Sequence, residues 1–109
     1  MIKTELENLL NSLGVPVNEG TPEDTQIEAP VRICFWDYVW EPLTASGQEY
    51  NTKVTYQVSF IADMPRCTEL ISIKHKLDKL NVHPIIQHEY DVKTRRWHSF
   101  FSIEVLENI

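Results

Sequence analysis

Positive charge is scarce in this chain. Ten lysines and arginines stand against sixteen aspartates and glutamates, a formal net charge of −6 over 109 residues. Phosphate binding draws its affinity from Lys and Arg, so this balance argues against specific nucleic-acid binding. Cysteine occurs twice, at Cys34 and Cys67, and neither belongs to a CxxC. Cys34 falls in an apolar strand run and Cys67 near the start of a helix, so two buried thiols in a reducing compartment are expected rather than a bridge. The opening MIKTELENLL lacks an apolar run of signal-peptide length, and no stretch is long enough to span a bilayer. The expectation is a protein made and kept inside a cell, with no membrane partner. Catalytic signatures are missing too: there is no GxSxG, no P-loop and no HExxH. Internal repeats and low-complexity tracts are also absent.

What is present suits one domain, residues 1–109. Apolar residues make up 42% and charged residues 24%, as in a soluble globular chain. Ile2, Leu6, Leu9, Leu10 and Leu13 fall on one stripe and predict a first helix. Thr4 with Glu7 fits a capping box, and Gly14 and Pro16 end the helix. Residues 15–30 hold three prolines and four acids and read as a loop, expected to be mobile, with room for a short strand at Val15–Val17. Strand one is expected at 31–40, ended by Pro42. A second loop at 41–49, also expected to be mobile, leads to strand two at about 50–61. A second helix is expected from Pro65 to Leu80. Leu70, Ile73, Leu77 and Leu80 form its buried stripe, with Ile71 beside it. Glu69 lies early and Lys74, Lys76 and Lys79 late, as the helix dipole prefers, and Asn81 suits the C-terminal cap. A final hairpin pairs strand three, about 84–90, with strand four, about 95–106, through a turn within residues 91–94. Two-residue and four-residue loops both fit that turn. The order α-β-β-α-β-β predicts an α+β fold: a four-stranded, mainly antiparallel sheet with both helices on one face.

Strand two alternates cleanly. Tyr50, Thr52, Val54, Tyr56, Val58 and Phe60 take one side, and Asn51, Lys53, Thr55, Gln57 and Ser59 the other. Strand one is apolar on both sides, so whichever face takes the helices, large side chains remain on the other. If the leftover set is Trp36, Tyr38 and Trp40, at roughly 150–250 Å² each, it approaches or exceeds the largest patch usual on a monomer, about 300–600 Å². Strand four repeats the theme, with Trp97, Phe101, Ile103 and Val105 on one side and Phe100 and Leu106 on the other. A subunit interface is expected. The alternative is that the 15–30 or 41–49 loop folds over these residues.

Chemistry-bearing residues are sparse. Asp37 is the one acid inside an apolar run. A raised pKa would suit acid–base work there, but an edge or interface acid paired with an arginine is the expected reading. None of His75, His83, His88 and His98 forms a helical i, i+4 pair. His88 and His98, with Cys34, would make a zinc site only if they converged. Surface or cross-strand histidines are expected instead. Arg95, Arg96 and Trp97 form a basic-aromatic cluster of the kind that stacks on single strands. Cross-strand pairing of Arg95 or Arg96 with Glu89 is the ordinary explanation. No catalytic, metal or cofactor residue is therefore assigned.

The run LLNSLGVPVNEG (residues 9–20), the acidic linker after it, VRICFWDYVW (31–40), SGQEYNTKVTYQVSF (46–60) and ELISIKHKLDKL (69–80), with the closing hairpin, resemble the tail terminator, or tail completion, proteins of long-tailed bacteriophages and prophages. The resemblance covers most of the chain and lies in pattern and order rather than in a diagnostic motif. It implies a structural, non-enzymatic α+β subunit of a homo-oligomeric ring, usually a hexamer, which can be monomeric before assembly. Such a ring ends polymerisation of the tail tube and joins the tail to the head–tail connector protein. The implied partners are further copies of the chain, the tail tube protein and the connector. The implied location is the virion, and the bacterial host cytoplasm during assembly. On this reading Trp36, Tyr38, Trp40, Glu41, Leu43, Gln48, Glu49 and Tyr50 form the subunit or partner interface. Lys53, Gln57 and Ser59 then face a lumen or solvent.

Overall fold

The structure is a computed structural model that describes residues 1–20, 29–45 and 48–109, with side chains at all of these except 44–45 and 48–50. Among the described residues it is α+β, with two helices and a five-stranded mixed sheet. The elements are α1 (Lys3–Asn11), β1 (Val17–Glu19), β2 (Val31–Ala45), β3 (Gln48–Ala62), α2 (Thr68–Lys79), β4 (Gln87–Asp91) and β5 (Arg96–Glu107). The sheet order is β1-β2-β3-β5-β4. The two hairpins expected from sequence are there, joined by α2 and paired through β3 and β5.

Three expectations about the strands are corrected. The sheet has a fifth strand, since β1 pairs parallel with β2 from Val17↔Ile33 to Glu19↔Phe35. Its three residues are too few to show a period, so its partner decides it. Pro42 does not end β2, which runs on to Ala45 and pairs Pro42 with Thr52. Past Phe35 the outer side of β2 has no neighbour among the described residues, and an edge strand tolerates a missing N–H. The stretch 41–49 is consequently no loop. Its described residues, Glu41 to Ala45 and Gln48 to Glu49, are paired strand, and residues 46–47 lie outside the described residues. Of the expected 15–30 loop, 17–19 are strand and 21–28 likewise lie outside. Fifteen residues at about 3.3 Å span about 50 Å, so the β2–β3 hairpin accounts for the long axis of a 51 × 29 × 22 Å molecule.

Both helices cover one face of the sheet. Leu6 and Leu10 of α1 and Leu70, Ile73 and Leu77 of α2 join Ile33, Phe35, Val54, Tyr56, Val58, Phe60, Phe101, Ile103 and Val105 in one buried cluster. Leu9 and Leu13 pack partly against it. Leu80 and Ile71 do not belong to the buried stripe: both are exposed. Leu80 is already the cap residue, and Ile71 sits about 100° round the helix from Leu70. At the start of α1 the capping box is not Thr4–Glu7. The helix begins at Lys3, and the backbone N–H of Ile2 donates to Glu5 Oε1 at 3.3 Å. Gly14 does take the left-handed conformation expected of it, with φ 73°.

The end of α2 is set by Asn81. Its φ is 58°, its N–H donates to the Asp78 carbonyl at 3.0 Å, and the N–H of Val82 reaches the Leu77 carbonyl at 2.9 Å. This is the six-to-one and five-to-two pattern of a Schellman cap. Asparagine visits this region more readily than other side-chain-bearing residues. Asn81→Val is expected to lower stability by about 1–2 kcal/mol and Asn81→Gly to keep it nearly unchanged, read by urea denaturation.

Tyr56 carries a buried polar device beneath α1. The residue is 2% exposed. Its hydroxyl donates to Glu107 Oε2 at 2.8 Å, and Lys3 Nζ stands 5.9 Å from its ring centre. Burial first, then the hydrogen bond and charge of Glu107, push the phenol well above the ordinary tyrosine range. A raised value means the unfolded chain loses this proton first as pH rises. The stabilisation is whole below about pH 10 and is lost above it. Tyr56→Phe should remove that part of the alkaline loss and cost about 1.5 kcal/mol at neutral pH. Denaturation at a series of alkaline pH values, alongside tyrosinate absorbance, measures both.

Candidate functional site: the open face of the sheet

The face opposite the helices is the candidate site, and a single bulge decides its composition. Asp37 pairs with Tyr56 and Val39 with Thr55, so Tyr38 is an extra residue in β2. Before the bulge, Ile33, Phe35 and Asp37 lie opposite Phe60, Val58 and Tyr56 on the helix face, while Arg32, Cys34 and Trp36 lie opposite Ile61, Ser59 and Gln57 on the open face. An inserted residue reverses the alternation beyond it. After the bulge, Trp40 and Pro42 register with the helix-face residues Val54 and Thr52. Val39, Glu41 and Leu43 register with Thr55, Lys53 and Asn51 on the open face. Tyr38 stays on the open face, where its hydroxyl meets Ser102 Oγ at 2.8 Å.

Trp36, Tyr38 and Trp40 therefore do not form one patch. Trp36, half-buried, and Tyr38, 52% exposed, share the open face. Trp40 is 59% exposed on the other side, and its indole N–H donates to Asp37 Oδ2 at 2.6 Å. That bond also corrects the reading of Asp37, whose partner is an indole rather than an arginine. Around Tyr38 the open face adds Val39, Leu43 and Leu106, all exposed, with Phe100 half-buried further along. No described loop encloses Tyr38, Val39 or Leu43.

Glu41 and Leu43 are exposed, as an interface requires. Gln48, Glu49 and Tyr50 contribute backbone to β3, with Tyr50 the extra residue between the Leu43↔Asn51 and Thr44↔Glu49 pairs. Their side chains lie outside the described ones. Beyond the Thr52↔Glu107 pair, where β5 stops pairing, Leu43 to Asn51 form a two-stranded arm over the described residues.

The three residues expected on a lumen or solvent face differ in fate. Lys53 is on the open face, but it is held by Glu41 at 3.0 Å and approached by Glu104 at 4.0 Å, and the hydrogen bond to Glu41 raises its pKa. Gln57 is half-buried and donates to Ser59 Oγ at 3.3 Å. Ser59 is not on a wetted surface: it is 2% exposed, in register between Cys34 and Phe100. Its position in the alternation is right. Its burial comes from neighbouring strands, which one strand's pattern does not report.

Cys34 and Cys67 are both buried and free, and burial raises both thiols. His88 and His98 do not converge. His88 Nδ1 meets Ser99 Oγ at 2.7 Å on the helix face, whereas His98 is opposite Glu89 on the open face. Arg96 does not pair with Glu89. It lies 3.4 Å from Asp63 and donates to the carbonyls of Ala29 and Pro30, tying the start of β2 to β5. Nothing in the sequence signals that tie, because its acceptors are backbone oxygens of a distant segment. The turn of the last hairpin is the four-residue option, Val92 to Arg95, with Arg95 at φ 56°.

No helix among the described residues is long and apolar enough to cross a membrane. Chemically, the described residues of the open face offer aromatic and aliphatic area and an ion-paired lysine. Compared with protein-family models the chain matches none, and no curated protein matches it either.

Proposed function

We propose that this chain is a structural, non-enzymatic subunit of a homo-oligomeric ring, a hexamer, at the head–tail junction of a long-tailed bacteriophage or prophage. The ring caps the tail tube, ends its polymerisation and joins the tail to the head connector. The observation that carries the reading is the uncovered aromatic face around Tyr38, continuous with the β2–β3 arm. Exposed apolar area of this kind marks a protein contact. Two further features agree with it. The outer edges of β4 and of β2 past Phe35 carry no strand among the described residues, and free edges invite pairing with a neighbour. The formal charge of −6 suits a ring through which DNA passes without sticking. The order of elements that resembles tail terminator proteins supplies the rest.

The test mixes the purified chain with tail tube protein and with head connector, and follows mass by light scattering over a range of concentrations. Closed rings that stop tube growth are expected, from a subunit that can be monomeric alone. A chain that stays monomeric and ignores both tube ends and connector overturns the reading. Binding as a monomer or dimer to some other protein would make the chain a small α+β binding module instead.

A further inference from the structure

At the end of the open face where β2 begins and β3 ends lies a cleft of about 850 Å³. Arg32, Ile61 and His98 cross it side by side, in register on β2, β3 and β5. Arg96 on its wall is already engaged by Asp63 and two backbone carbonyls. Arg32 is not: its Nε and Nη1 are sealed from water and have no hydrogen-bond partner, and the same holds for His98 Nε2. Native proteins satisfy nearly all such groups, because each unmade hydrogen bond forfeits the water it displaced. Two orphans lining one cleft break that rule together, and local rules are broken where there is function.

We propose that this cleft is a carboxylate-binding site, in which Arg32 and His98 turn their sealed nitrogens into the cleft and together receive one singly charged carboxylate. The rim fixes the charge of the ligand. Asp63, Glu89 and Asp91 stand round it with Arg95 and Arg96, which repels a phosphodiester chain or a doubly charged phosphate but leaves room for one negative charge beside Arg32. The Ile61 side chain between the two orphans suits the apolar stem of an acid. Burial lowers the pKa of His98, opposed by Glu89 and Asp91, so the ring enters as a neutral imidazole that donates from one nitrogen. The carboxylate comes either from an acidic side chain of a second copy of this chain or from a free small acid. The proposal needs neither the ring nor the phage assignment.

Propionate serves as the probe and inorganic phosphate as its comparison. Arg32 Nε–H and His98 ring resonances of the intact chain are followed by NMR. Saturable shifts of both are expected with propionate, larger than with phosphate at equal concentration. If a second copy is the natural source, raising protein concentration alone moves the same resonances, and propionate reverses the accompanying rise in mass. If a free acid is the source, only propionate moves them and the mass is constant. Arg32→Met keeps the stem and removes the orphan donors. It should abolish the His98 shift while raising the melting temperature by roughly 4–8 °C. The assignment fails if neither propionate nor protein concentration moves these resonances, if phosphate moves them more, or if Arg32→Met melts several degrees lower.

Discussion

Tyr38→Glu is expected to abolish self-association of the chain while leaving its fold almost untouched. Tyr38 is 52% exposed on the open face, and its one hydrogen bond, to Ser102, is at the surface. Substitutions at such places change stability by about 1 kcal/mol or less. The effect on an interface is of another order. A buried aromatic anchor is worth about 2–4 kcal/mol per contact, and here a carboxylate replaces it on the face that already carries Glu104, the register partner of Thr55. A loss of about 2–4 kcal/mol weakens each subunit contact some 30-fold to 1,000-fold, and closing a ring repeats the loss at every contact. Sedimentation velocity on wild type and variant, each mixed with tail tube protein, and calorimetry on each chain alone, measure the two effects separately. Trp40→Glu probes the other side of β2 in the same way. A Tyr38→Glu chain that assembles like wild type would remove the open face from the interface, and an equal loss from Trp40→Glu alone would transfer the role to the helix-face side of β2.

The largest effect on stability is expected from Phe60→Ala. Phe60 is 1% exposed near the end of β3, the central strand of the sheet, with the Phe101 ring 6.1 Å away and the strands β2 and β5 on either side. Truncating a buried phenylalanine costs about 3–5 kcal/mol, the lost transfer energy plus the cavity left behind. Domains of this size hold about 5–15 kcal/mol in all, so the variant should melt more than 10 °C lower. Urea denaturation monitored by tryptophan fluorescence gives the free energy directly. A cost below about 1 kcal/mol would mean that the layer between α2 and β3 is not close-packed.

These two residues differ in how far their sequence context announces them. Phe60 is legible: it ends the longest unbroken alternation in the chain, and Thr52, Val54, Tyr56, Val58 and Phe60 are all buried. Leu6 and Leu10, and Leu70, Ile73 and Leu77, are legible for the same reason, since helical spacing alone puts them on one stripe. Asn81 was readable from its place after the last lysine of α2. Tyr38 is another matter. Strict alternation groups it with Trp36 and Trp40, and only a bulge, invisible in a run that is apolar or aromatic on both sides, sends Trp40 to the opposite side. Alternation alone therefore groups Trp40 with Trp36 and Tyr38, and the bulge separates it from them.

Arg32 and His98 show the same limit from the other direction. Nothing near either residue marks it as special, and they are 66 positions apart. They line one cleft because their strands flank β3, and their lack of partners is a property of the packed interior.

From its own order of residues the chain determines the two helices, the two hairpins, the α+β class and the excess of aromatic surface, because each is a short-range pattern set by backbone period and side-chain polarity. Tertiary structure alone decides the parallel strand β1, the passage of β2 through Pro42, the burial of Ser59 and the side on which Trp40 stands. Each of these depends on what the neighbouring strand supplies: a hydrogen-bonding edge, an unpaired outer side, a covering side chain or a one-residue mismatch in register. Such partners come from segments tens of residues away, and no local window of sequence contains them.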